Sequence, residues 1–180
     1  MIFRAVEDVD LVAKTRQGEG EAYNLLIARW ESRIFNYLLR IVGSREDALD
    51  LSQEVFLKGY QNVRKLQDGS RFGPWLFRIA HNEAYSLFRK NRNHEGEPAK
   101  TEPAATGGFP MELTLAVTAA LERLGPEQRE AVVLKIYQGF KFEEMAEILD
   151  CPVSTVKSRL YTALDLLRDE LAPAAGGITQ

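Results

Sequence analysis

The chain has 180 residues, 45% of them hydrophobic and 27% charged, with a formal net charge of -3. That length suits one ordinary domain or two small ones. No run approaches the ~18–20 apolar residues of a membrane span, the stretch from Met1 to Asp10 lacks a signal-peptide pattern, and a single cysteine, Cys151, excludes an internal disulfide framework and fits a reducing cytosol.

Helical periodicity appears from the start. Leu11, Val12 and Ala13 begin a first helix, which Gly18-Glu19-Gly20 breaks. Ala22, Leu25, Leu26, Trp30, Ile34, Tyr37, Leu38 and Ile41 then line one side of a long second helix, ended by Gly43. Ser44 is a predicted N-cap for a third helix over 45–66. There Ala48, Leu51, Val55 and Phe56 face inward, while Asp47, Asp50 and Glu54 recur at i, i+3 and i+7 on another side, with Gln53 and Lys58 nearby. Such a face is either simply solvated or a docking surface for a basic partner helix. A carboxylate metal site is disfavoured, because no His accompanies the acids in a Glu-x-x-His arrangement.

Gln67 to Gly73 reads as a polar loop, and Pro74 suits the first turn of a fourth helix. On that helix Trp75, Leu76, Ile79, Ala80, Ala84, Leu87 and Phe88 form the buried side. Arg78, Asn82, Tyr85 and Arg89 follow at i, i+4, i+7 and i+11, a cationic and amide face suited to a phosphate backbone. Overall acidity hides this segregation: from Arg64 to Arg92 seven basic residues oppose only Asp68 and Glu83. Phe72 and Tyr85 lie among these cations, a pattern that suits single strands, although aromatic residues also build cores.

Residues 93–110 carry Pro, Gly, Thr and Glu without apolar period and read as a flexible linker. Two helices follow, over 113–124 and 126–137, the second opened by Gly125-Pro126. Phe142, Met145, Ala146 and Leu149 then repeat at helical spacing until Asp150-Cys151-Pro152 interrupts them. A further helix has Val156, Leu160, Leu164 and Leu167 as its apolar stripe. A short helix, a tight turn and a longer helix form the helix-turn-helix pattern, whose second helix enters the DNA major groove by its first turns. Those turns offer Ser154, Thr155, Lys157, Ser158 and Arg159, short hydroxyls and cations matched to base edges and phosphates. The preceding helix carries Glu143, Glu144, Glu147 and Asp150, so positive potential is confined to the second helix. Residues 172–180 read as a frayed tail. The expected fold is all-α, two small helical domains joined by a linker.

In chain order, ALDLSQEVFLKGYQNV (48–63), WLFRIAHNEA (75–84) and LERLGPEQREAVVLKIYQGFKFEEMAEILDCPVSTVKSRL (121–160) resemble a bacterial RNA polymerase sigma factor of the extracytoplasmic-function (ECF) group, the last block being similar to the sigma-E type. The resemblance implies sigma region 2 over 1–92, a linker over 93–112, region 4 over 113–171 and a tail over 172–180. It implies polymerase contact through Asp47, Asp50, Gln53, Glu54 and Phe56, against the clamp helices of the largest subunit, with region 4 meeting the flap. It assigns the promoter -10 element to Lys65, Ser70, Arg71, Phe72, Arg78, Asn82, Tyr85 and Arg89, with a flipped non-template base captured by the loop. The -35 element falls to Ser154, Thr155, Lys157, Ser158, Arg159 and Thr162. Expected partners are core RNA polymerase, promoter DNA and an anti-sigma factor, in the cytoplasm. No cofactor, metal, small-molecule substrate, catalysis or membrane insertion is expected. The competing reading is a conventional helix-turn-helix regulator with an N-terminal sensor or dimerisation domain. An enzyme has little support, since His81, His94 and Cys151 have no nucleophile, metal cluster or paired His close by in sequence.

Overall fold

The computed structural model describes residues 6–92 and 111–175, with side chains through 172. Among these described residues eight α-helices account for the architecture: α1 (Asp8–Arg16), α2 (Gly20–Val42), α3 (Arg45–Asn62), α4 (Phe72–Arg92), α5 (Met111–Glu122), α6 (Pro126–Val132), α7 (Phe142–Leu149) and α8 (Val153–Ala175). No strand occurs among the described residues.

The helix boundaries follow local chemistry. At the end of α2, Gly43 adopts the left-handed conformation (φ 74°) and its N–H returns to the Leu39 carbonyl at 2.9 Å. Ser44 then caps α3 as its spacing predicts, its hydroxyl accepting from the Asp47 N–H at 3.2 Å. That helix ends earlier than expected, at Asn62, and tightens into a 3-10 turn over Val63–Lys65. The loop after it closes into a second 3-10 turn, Gly69–Arg71, in which the Asp68 carboxylate accepts from the Ser70 N–H at 2.9 Å and from its hydroxyl at 2.6 Å. These two bonds, the hydroxyl's first, hold the Asp68 carboxyl below its ordinary range.

In the second half, α6 is shorter than the expected helix and passes into a π-helical turn, Val133–Tyr137. Helix α7 is capped from within, as the Glu144 carboxylate accepts from the Lys141 N–H at 2.8 Å. Asp150 terminates it in the left-handed region (φ 51°), a place usually given to Gly or Asn. The last helix continues through Ala175, four residues into the stretch read as a tail. Ala172, Ala174 and Ala175 favour this, as alanine is the best helix former, while Pro173 between them opposes it. Of that stretch 176–180, and of the expected linker 93–110, lie outside the described residues.

Helices α1 to α4 form one bundle and α5 to α8 another, but their buried residues make one continuous core. Helix α7 lies along α4, while α6 and its π-helical turn reach α2. Phe77 of α4 sits at the junction, fully buried. Its ring lies edge-on to Trp30, Tyr37 and Phe140 at centroid distances of 6.3, 5.1 and 4.9 Å. Burial of one such ring contributes roughly 1.5–3 kcal/mol. Beside it, the Arg33 guanidinium stacks 4.6 Å from the Trp30 centroid and donates to the Gln138 carbonyl at 2.9 Å.

Candidate functional site

Three surfaces carry the residues singled out from the sequence. The first is α3. Asp50 and Gln53 are exposed on it, whereas Asp47 and Glu54 are half-buried. Glu54 is not a solitary acid: Lys58 one turn later pairs with it at 3.5 Å and with Glu83 of α4 at 2.5 Å. The Glu83 bond, then the charges of Glu83 and Glu54, hold the Lys58 ammonium above its ordinary range. Phe56 is almost buried, at 8% exposure, and its carbonyl accepts from the Tyr23 hydroxyl at 2.5 Å. It forms the floor of an apolar groove between α2 and α3, lined also by Ile27, Phe35, Leu49, Leu57 and Tyr60. Leu49, Leu57 and Tyr60 are 46%, 52% and 47% exposed, too apolar a strip to be explained by solvation alone. The inward stripe of α3 concealed this feature. Its signal is a second apolar row, 49, 57 and 60, flanking Gln53 at helical spacing.

The second surface joins the loop to α4. Lys65, Ser70, Arg78, Asn82 and Arg89 are exposed, Arg71 and Tyr85 half-buried. Lys58, Asn62, Lys65, Trp75, Arg78, Ile79, Asn82 and the acid Glu83 line a shallow groove between the end of α3 and α4. Arg89, Lys90 and Arg92 also complement the C-terminal dipole of α4. Phe72 departs from its expected role. It is fully buried, against Trp30 at 6.3 Å and Trp75 at 5.8 Å, so in this conformation its ring cannot meet a base. It anchors the loop instead. The loop is also held from behind by α1, since Gly69 packs on Val12 and Val9, and Arg16 donates to the Val63 carbonyl at 3.3 Å.

The third surface is the start of α8. Ser154, Lys157, Ser158 and Thr162 are exposed there, Thr155 half-buried, and Val156 and Leu160 point into the core. The Arg159 side chain is folded back, 24% exposed, with its guanidinium 3.0 Å from the Glu127 carboxylate. It lies 3.8 Å from Cys151 Sγ. Burial pushes the Cys151 thiol above its ordinary range, the Arg159 charge opposing this only in part, which is the reverse of what a reactive thiolate needs.

One cluster was not visible beforehand. Glu130 of α6 is 1% exposed and reaches across the boundary between the halves. The Tyr37 hydroxyl donates to its carboxylate, and His81 Nδ1 lies 2.7 Å from the same oxygen. Burial, then the Glu130 charge, raises the phenols of both Tyr37 and Tyr85 well above their ordinary values. No sequence signal joins these residues, which stand 93 and 49 positions apart. Among the described residues no group of His, Cys, Asp and Glu is placed to hold a metal ion, and no helix is long and apolar enough to cross a membrane.

Residues 26–94 match the family model of Sigma-70 region 2, and residues 114–167 that of Sigma-70, region 4. An ECF RNA polymerase sigma-E factor of Haemophilus influenzae is 31% identical over 92% of this chain and 96% of its own. This chain belongs to the sigma-70 family, in the ECF group. The Escherichia coli K12 sigma-E factor is 30% identical over 92% of this chain and 95% of its own. Among solved structures, the sigma factor RpoE of Bartonella quintana, in complex with the anti-sigma factor NepR, superposes with a TM-score of 0.73 at 27% identity, covering 83% of this chain and 96% of that one. The protein is thus a promoter-specificity subunit of bacterial RNA polymerase. A conventional helix-turn-helix regulator is not favoured, because such a protein has no need of region 2.

Proposed function

We propose that this sigma factor divides its work among the three surfaces as follows. The exposed carboxylate and amide of Asp50 and Gln53, with Asp47 and Glu54 beside them, receive basic residues of the polymerase clamp, while the apolar groove over Phe56 receives its aliphatic side chains. Lys65, Ser70, Arg71, Arg78, Asn82, Tyr85 and Arg89 hold the -10 strand. Ser154, Thr155, Lys157, Ser158, Arg159 and Thr162 read the -35 element from the major groove. Residues 93–110 join the two DNA-binding halves.

The observation that carries the reading is the groove in which the cations Lys65 and Arg78, the amides Asn62 and Asn82 and the edge of Trp75 share a shallow surface, with Lys58 held at its side by Glu83. That combination tracks a backbone and accepts unpaired bases. Melting then needs no catalysis by this chain: capture of unpaired bases offsets unstacking and unpairing of roughly a few kcal/mol per base. The likeness to a sigma factor solved with an anti-sigma factor supports control by such a partner here, in the cytoplasm.

Run-off transcription with purified core polymerase on a pool of promoter fragments tests this. Start sites that need both proteins, with shared sequence near -35 and -10, are the expected result. Binding of duplex operator by the protein alone, with no initiation, would refute it.

A further inference from the structure

Helix α3 ends without a cation of its own. No residue of its last turn is basic, and the carbonyls left over at its C-terminus carry the negative end of the helix dipole. Arg16, 47 positions earlier at the end of α1, supplies the missing charge. Its Nε donates at 3.3 Å to the carbonyl of Val63, the residue that caps α3. Nη2 of the same guanidinium reaches the Gln67 carbonyl at 3.5 Å. One planar group thus spans residues 63–67, the first part of the loop.

The rest of the loop is held by other means. Asp68 ties down Ser70 locally, and Gly69 lies so close to Val9 and Val12 that a Cβ on it would come within 3.3 Å of both. Val9, Val12 and Arg16 recur at i, i+3 and i+7, so a single face of α1 serves as the mould for the loop. Leu66 is drawn into the core, at 7% exposure, while Lys65 and Gln67 on either side of it stay exposed. Lys65 lines the groove with Arg78 and Asn82, and Gln67 lines the adjoining pocket with Arg71, Trp75 and Arg78.

We propose that Arg16 is a positioning residue for promoter opening: from behind the DNA face it fixes the backbone of 63–67, so that Lys65 and Gln67 are presented to an unpaired strand. The inference rests on the assignment of the -10 strand to the loop and α4. Arg16 itself need touch no DNA. A loop ordered beforehand spares strand capture the entropy cost of ordering it. Lysine at this position would keep the charge at the end of α3, but it replaces two donors in a fixed plane by one nitrogen on a flexible stem. The two services of Arg16, charge for the helix and fork for the loop, are therefore separable.

The test uses the full chain with purified core polymerase, on the strongest promoter recovered from the run-off pool. The variants are Arg16→Ala, Arg16→Lys, Arg89→Ala and Lys14→Ala. Lys14 is exposed on the same helix, and its loss changes the net charge as Arg16→Ala does. Stopped-flow fluorescence of a 2-aminopurine in the -10 strand, followed across polymerase concentration, separates the affinity of first binding from the rate of opening. Hydrogen exchange over 64–71 reads the order of the loop, since the amides of Leu66, Ser70 and Arg71 are all bonded there. If the ordered loop falls from near unity to about a tenth of the population, opening slows about tenfold. Arg16→Ala is expected to show this loss, with first binding unchanged and faster exchange over 64–71. Arg16→Lys should restore the thermal midpoint and keep most of the opening defect. Lys14→Ala should match the parent throughout.

Opening by Arg16→Ala at the parent's rate would overturn the proposal. Full recovery of opening in Arg16→Lys also overturns it, by making charge at the end of α3 the whole effect, and so does an equal loss in Lys14→Ala. Arg89→Ala then locates the failure. If it slows opening, the -10 assignment stands and only the role of Arg16 is wrong. If it opens the promoter at the parent's rate, the -10 assignment itself has failed.

Discussion

Substitution of Gly73 by alanine tests how the loop before α4 is anchored. A Cβ built at this position lies 2.3 Å from the Trp30 Cη2 atom and 3.0 Å from two neighbouring ring carbons. Carbon atoms pack at about 3.5–4.0 Å, so the ring would have to retreat by more than an ångström. It has nowhere to go. The Trp30 indole donates to the Asp8 carboxylate at 2.9 Å, carries Arg33 on its face, and meets Phe72 and Phe77 edge-on. Overpacking of this kind costs roughly 1–3 kcal/mol, and a rigid neighbour places it at the upper end. Against this, alanine is favoured over glycine in a helix by about 1 kcal/mol. The net loss is about 2 kcal/mol, a shift of the urea midpoint by roughly 1 M. Urea unfolding followed by tryptophan fluorescence measures it. Trp30→Phe, destabilising alone, should recover part of the loss when combined with Gly73→Ala. A Gly73→Ala protein as stable as its parent, or strict additivity in the double variant, would refute the steric account.

Asp50→Lys should abolish association with core polymerase in a pull-down or anisotropy assay while leaving the helical circular dichroism unchanged, because Asp50 is exposed and its carboxylate makes no hydrogen bond or ion pair among the described residues. Arg159→Ala should leave polymerase affinity unchanged and lower use of the cognate promoter by about 1–3 kcal/mol in a run-off titration, the range of one good base contact. The same change releases Glu127, so a gain in thermal stability would show that the Arg159–Glu127 pair is structurally neutral or worse. Alkaline titration at 295 nm should split the six tyrosines. Tyr23, Tyr37 and Tyr85 have raised values in the folded state, so their contribution to stability is complete below the unfolded value of about 10. It is lost as pH climbs beyond that towards the folded values, and their tyrosinate signal should appear only with loss of helicity. Early titration of all six would contradict the burial.

Much of this arrangement is written in local pattern. The α3 cap at Ser44, the left-handed stop at Gly43 and the break at Asp150 to Pro152 follow from residue types at fixed spacings. The faces of α4 and of the first turns of α8 follow from helical periodicity and the placing of cations, whereas Leu164 of the expected α8 stripe is exposed and Ala163 is buried instead. Phe72 escaped that logic, because an aromatic residue next to a basic loop residue, Arg71, satisfies both a core and a stacking role until Trp30 and Trp75 are seen around it. The closed packing of the halves escaped it altogether. Tyr37, His81 and Glu130 each look ordinary in their own helices, and only tertiary contact makes them one cluster. Two of the acids in and after α7, Glu147 and Asp150, which looked out of place beside a DNA-reading helix, find their cations at Arg71 of the loop and Arg78 of α4, a pairing that no single periodic stretch contains.

Phe77 and Phe140 meet across the boundary at 4.9 Å, nearly free of solvent, at 0% and 5% exposure. A chain that swings open therefore bares two aromatic faces to water at once. Such a molecule is adhesive: at high concentration, opened copies should find one another through these rings and precipitate or exchange halves. The closed state then keeps the protein safe to store, and the opened one is suited to exist only for as long as a larger assembly is there to receive it.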